Sequence, residues 1–147
     1  MSHLTEVIKI ADIHAERVIY ATDKLAHLFP LTESTIINIS EHHLLLLELL
    51  IGRFSKLQDF IRAKLIDAFL EAKEEEARSI TMIDKLNKLE KLHILDDANI
   101  WRQMREVRNY LSHEYPDHPE IQVKYLNEMF NLIPALLLLL KNIKERS

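Results

Sequence analysis

TEVIKIADIHAERVIYATDKLAHL, residues 5–28, sets Val7, Ile8, Ile10, Ala11, Ala15, Val18, Ile19, Ala21, Leu25 and Ala26 at helical spacing. Apolar residues three and four apart line one side of a 3.6-residue helix and need another element to cover them. This helix is expected to end near Phe29-Pro30, and Thr32 is a fair N-cap for the next segment because its hydroxyl can accept from a first-turn N–H. A long helical pattern then covers residues 33–77. Within it, residues 44–51 are apolar except for Glu48, which predicts a stretch surrounded by other helices or by a partner chain. Gly52 is expected to mark a close helix crossing or a bend, and Glu74-Glu75-Glu76 a solvated helix face.

Ser79 is the expected N-cap of a further helix that carries Ile80, Ile83, Leu86, Leu89 and Leu92. Asp96-Asp97 opens another, through Ile100, Trp101, Met104, Val107 and Leu111, with Trp101 as a core anchor. Two carboxylates suit the positive end of a helix dipole. That helix must stop before Pro116. Pro119 opens the last one, to about residue 143, which Pro134 should kink or interrupt. The sequence has no internal repeat and no low-complexity linker. The expected fold is a single all-α domain over residues 1–147, an up-and-down antiparallel bundle of four to five helices.

Composition points the same way. One Gly and four Pro among 147 residues are too few for the turns of a β-rich chain, and 48% hydrophobic residues suffice for a continuous core. Cysteine is absent, which removes disulfides, thiolate zinc sites and cysteine nucleophiles. The opening residues lack the basic and apolar regions of a secretion leader, and the apolar run 133–140 is shorter than the roughly 20 residues that span a bilayer. A cytoplasmic protein without a membrane partner is expected. The net charge of −4 argues against non-specific coating of nucleic acid, so any such contact should be local.

Chemistry concentrates in Arg108-Asn109-Tyr110-Leu111-Ser112-His113-Glu114-Tyr115, just ahead of Pro116. Arginine offers a planar fork of donors matched to phosphate oxygens, and histidine exchanges a proton near neutral pH. Together they suit metal-independent RNA cleavage, in which the 2′-hydroxyl attacks the neighbouring phosphate, with His113 as general acid or base and Arg108 stabilising the charged phosphorane. Residues five apart lie about 140° apart around an ideal helix, so Arg108 and His113 do not stack directly. Convergence needs Arg108's long side chain, unwinding before Pro116, or a second copy of the motif across a dimer, which we favour. Asn109, one turn below His113, could orient its ring.

Arg108-Asn109-x-x-x-His113-x-Tyr115 resembles the signature of HEPN proteins, in particular the HepT toxins paired with minimal nucleotidyltransferase (MNT) antitoxins. Gly52-Arg53-Phe54-Ser55-Lys56-Leu57-Gln58-Asp59 also resembles that family. The resemblance extends over most of the chain in helix order and spacing. It implies a HEPN-like bundle, commonly a homodimer with the Arg and His motifs of two subunits facing a shared cleft. It further implies a ribonuclease toxin without cofactor, restrained by an MNT partner that adds AMP to Tyr115.

Several signals have two readings. Arg102 and Arg105 could extend a basic strip toward RNA, or could pair with Glu106, Asp96 or Asp97. Arg53, Lys56 and Asp59 could line the RNA cleft, or could make interhelical ion pairs. Glu90-x-x-His93 resembles half of a di-iron site, but occurs once, and adjacent His42 and His43 point apart on a helix. No metal site is expected. The rival to a ribonuclease is a non-catalytic substrate-binding or adaptor subunit of a nucleotidyltransferase, docking a nucleotide or partner in the same cleft.

Overall fold

The computed structural model describes residues 2–113 and 118–147. Its regular elements are all helical, with no strand among the described residues: α1 (His3–Leu25), a 3-10 turn (Ala26–Leu28), α2 (Glu33–Ile37), α3 (Glu41–Phe60), a π-helical turn (Ile61–Leu65), α4 (Ile66–Ala72), α5 (Met82–Lys91), α6 (Ala98–Leu111) and α7 (Pro119–Arg146). The all-helical bundle is the fold that the periodicity predicts.

α1 starts where Ser2 Oγ accepts from the Thr5 amide at 3.1 Å. It buries Leu4, Val7, Ala11, Ala15, Val18, Ala21 and Leu25, one stripe of small and branched residues against α3, α4 and α7. The chain turns after Leu28, and Asn127 of α7 pins the turn by accepting from the Leu31 amide at 2.7 Å and donating to the Leu31 carbonyl at 3.0 Å. α1 and α3 run antiparallel, since His27 meets the ring of His43 while His14 meets Arg53 further along.

The segment expected as one helix over residues 33–77 is divided. Thr32 caps the short α2 as expected, but the Asn38 side chain turns back to the Ser34 carbonyl (3.0 Å) and Ser40 Oγ then accepts from the His43 amide (3.1 Å) to start α3. A side chain that satisfies local backbone groups competes with helix continuation, and so an apolar pattern without Gly or Pro is interrupted here. In the 44–51 stretch Leu46, Leu47 and Leu50 are buried, while Leu44 and Leu45 are exposed, so neighbouring helices cover one side only. Gly52 marks no crossing: a Cβ there would meet nothing within 4 Å. The distortion lies instead at Ile61–Leu65, where one π turn shifts the helix register just after α3.

α4 ends at Ala72, so Glu74 to Glu76 form a turn and not a helix face; Glu74 has φ 60° and Glu75 pairs with Lys88 at 2.6 Å. Thr81, two residues later than expected, caps α5, and Ser79 donates to Glu76. α5 ends with His93 at φ 60°, its amide bonded to the Glu90 carbonyl (3.0 Å) and the next amide, of Ile94, to the Leu89 carbonyl (2.9 Å). This is a Schellman ending with histidine where glycine is usual.

Asp97 opens α6 by accepting from the Asn99 amide at 2.9 Å, and Glu90 accepts from the Ala98 amide at the same distance. Trp101, Met104 and Val107 face the core. α7 runs antiparallel to α6: Asn142 donates to the Ile94 carbonyl at one end, and Tyr110 stacks on Tyr125 (centroids 3.9 Å apart, planes at 16°) toward the other. Pro134 lies within α7 without interrupting it, its missing N–H falling on an exposed position. By length and composition α7 could cross a bilayer. In this fold it buries Leu126, Met129, Ile133, Leu136, Leu139, Leu140 and Ile143 as one stripe and leaves Leu138 exposed.

Candidate functional site

The last turns of α6 carry the motif, and the helix ends inside it. Ser112 is the C-cap, its amide bonded to the Arg108 carbonyl (3.1 Å) and its hydroxyl to the Asn109 carbonyl (2.8 Å). The His113 amide then reaches only to the Tyr110 carbonyl (3.1 Å), a tightened turn that leaves His113 exposed beyond the helix. The regular register that would stack His113 one turn above Asn109 therefore stops at Leu111, with Asn109 exposed on the flank of α6.

Arg108 turns inward to α3. Its Nε and Nη2 donate to Asp59 Oδ1 (3.2 Å) and Oδ2 (2.7 Å), a two-point fork on one carboxylate. Arg105, one turn earlier, donates from Nη1 to Asp59 Oδ1 at 2.9 Å. The Arg108 side chain is 26% exposed and that of Asp59 44%, so the cluster sits at the rim of the α3–α6 seam. Burial alone would raise the Asp59 pKa, but the hydrogen bonds and charges of Arg108 and Arg105 bring it below the ordinary carboxylate value. The carboxylate therefore stays ionised, aims Arg108, and leaves its Nη1 group for an anionic ligand.

Beneath this rim lies Gln58, the buried polar side chain among the described residues, which donates from Nε2 to the Met104 carbonyl at 3.1 Å. It ties α3 to α6 one residue before Asp59, so the acid arrives on a fixed seam. The Tyr110–Tyr125 stack fixes the same end of α6 from the α7 side.

The structure thus joins Arg105, Arg108 and Asp59 and separates the remaining candidates. Arg102 donates to Asn99 within α6 at 3.2 Å, and Arg105 finds its acid in α3 rather than in Glu106, Asp96 or Asp97. Arg53 bonds His14 of α1 at 3.1 Å, and Lys56 is exposed. Tyr115, the expected AMP acceptor, lies outside the described residues. The Glu90-x-x-His93 pair has a backbone role at the α5–α6 junction, and among the described residues no three His, Asp or Glu side chains gather as a metal site.

Sequence reasoning missed the roles of His14 and Gln58. Nothing in a periodicity marks a histidine on a helix flank as the acceptor for an arginine 39 residues away, or an interior glutamine as an interhelical tie. No family model, no curated protein and no solved structure matches this chain.

Proposed function

We propose that this chain is a HepT-like, metal-independent endoribonuclease of a toxin–antitoxin pair, working as a homodimer in the cytoplasm. The observation that carries this is the Asp59 fork, which holds Arg108 at the rim of the seam five positions before an exposed His113. In the reaction the 2′-oxygen bonds to phosphorus as its proton passes to a base. The P–O5′ bond breaks and the leaving oxygen takes a proton from an acid. Each site pairs Arg108 of one subunit with His113 of the other, and that His113 serves as the general acid or base. Arg108 holds the non-bridging oxygens, where charge builds in the transition state. A nucleotidyltransferase partner that transfers AMP to Tyr115 would silence the site by setting a phosphodiester beside Arg108.

The test is cleavage of single-stranded RNA by purified protein. Wild type should cut in the presence of EDTA and yield a cyclic phosphate, while His113→Ala should be inactive with an unchanged helical spectrum. Binding of a nucleotidyltransferase without any cleavage by wild type would favour the adaptor role instead.

A further inference from the structure

Arg53 differs from Arg105 and Arg108 in what it is given to bind. Its Nη1 lies 3.1 Å from His14 Nδ1, and a guanidinium can only donate, so the ring accepts and carries its own proton on Nε2. Burial in the α1–α3 seam, then the charges of Arg53 and Lys56, hold the His14 pKa below the ordinary imidazole value. Lys56 follows Arg53 by three residues on the same side of α3 and is exposed. Among the described residues no carboxylate lies within ion-pair distance of Arg53 or Lys56. Arg53 is therefore left with one neutral imidazole as its acceptor, and neither cation has a counter-charge among the described residues. Such an acceptor is weaker than a charged oxygen and is readily exchanged for one.

The surface beside them is open, since a Cβ on Gly52 would meet no atom within 4 Å. The pair also leads to the candidate site. Lys56 and Asp59 are again three residues apart, so the three side chains follow one slanted ridge, and Arg53 and Asp59 are separated by roughly 9 Å along the helix axis and about 120° around it. That rise is within the reach of a short stretch of extended RNA backbone.

We infer that His14, Arg53 and Lys56 form a second phosphate-binding site, which holds the backbone of single-stranded RNA while its scissile phosphate lies at Arg108. This rests on the ribonuclease function proposed above. A backbone phosphate takes the place of the imidazole as acceptor for Arg53 and pairs with Lys56. His14 keeps the guanidinium oriented toward the seam until the ligand arrives.

The test uses His113→Ala protein, which cannot cut, and a labelled single-stranded RNA oligonucleotide followed by fluorescence anisotropy over a range of salt concentrations. Arg53→Gln and Lys56→Gln should each weaken binding several-fold and lower the salt slope by about 0.7 per lost phosphate contact. Lys91→Gln, an equal charge change at the end of α5, should have a smaller effect. Lys56→Glu guards against misfolding, because the side chain is exposed, and should weaken binding further. If Arg53→Gln and Lys56→Glu bind like their parent while Arg108→Ala does not, the second site is wrong and the ribonuclease survives. If the His113→Ala parent binds no RNA at all, both fall.

Discussion

With the Asp59 carboxylate replaced by an amide, Arg105 and Arg108 lose their shared counter-charge, and Arg108 loses the fork that aims it. Asp59→Asn should therefore lower RNA cleavage by about ten- to a hundredfold, the upper figure being the scale expected when a reacting group is misplaced by about 1 Å. A double-mutant cycle separates positioning from general damage: if Asp59 acts through Arg108, the amide should change little in an Arg108→Ala background. Equal losses in both backgrounds would reject the positioning role. Stability carries its own sign. The Asp59 pKa is lowered in the folded chain, so its contribution is fully present above the ordinary carboxylate value and is lost as pH falls through the folded one. Wild type and Asp59→Asn should differ by about 1 kcal/mol or less at neutral pH, given the exposed rim, and converge in acid. Arg108 was legible in the sequence as a candidate because it lies in one short segment with His113. Asp59 was readable as a residue that could make an interhelical ion pair, but its arginine partners were not, because they sit 46 and 49 residues away and only the packing of α3 on α6 brings them to it.

Helix ends set where these residues fall, and here local chemistry was partly readable. Thr32 caps α2 as expected, whereas Asp97, expected with Asp96 in the first turn of its helix, is the N-cap, and the first turn itself holds no acid. Ser79 was the expected cap of α5, and Thr81, two residues later, holds that position instead. The break at Asn38 to Ser40 and the π turn at Ile61–Leu65 carry no Gly or Pro signal, so a continuous pattern concealed both. His93 offers a direct test at this scale. It occupies a left-handed position at the end of α5, which costs a residue with a Cβ roughly 1 kcal/mol. His93→Gly should raise the midpoint of chemical denaturation and stabilise the chain by about that amount, since glycine enters this region freely. An unchanged or lowered midpoint would mean that the imidazole contributes something beyond backbone geometry.

At the scale of the whole molecule, the proposed site needs Arg108 and His113 to converge, and five residues on one helix set them about 140° apart. A two-fold dimer would bring two motifs to one cleft, each residue meeting its partner's symmetry-related surface. Exposed Leu44 and Leu45 on α3, with Ile10 and Ile13 on α1, offer apolar area for such a contact. Complementation decides whether catalytic groups are shared. Arg108→Ala and His113→Ala subunits are each inactive alone, but a site that takes Arg108 from one subunit and its essential His113 from the other is intact once in the mixed dimer. Random pairing of co-expressed subunits makes half of the dimers mixed, each with one of two sites restored, so activity should recover to about a quarter of wild type. If arginine and histidine must come from the same chain, no pairing restores a site and the mixture stays inactive. Equilibrium sedimentation of the same preparation fixes the oligomeric state. An inactive mixture of verified mixed dimers would remove the shared cleft from the mechanism and confine each reaction to one subunit's own Arg108 and His113.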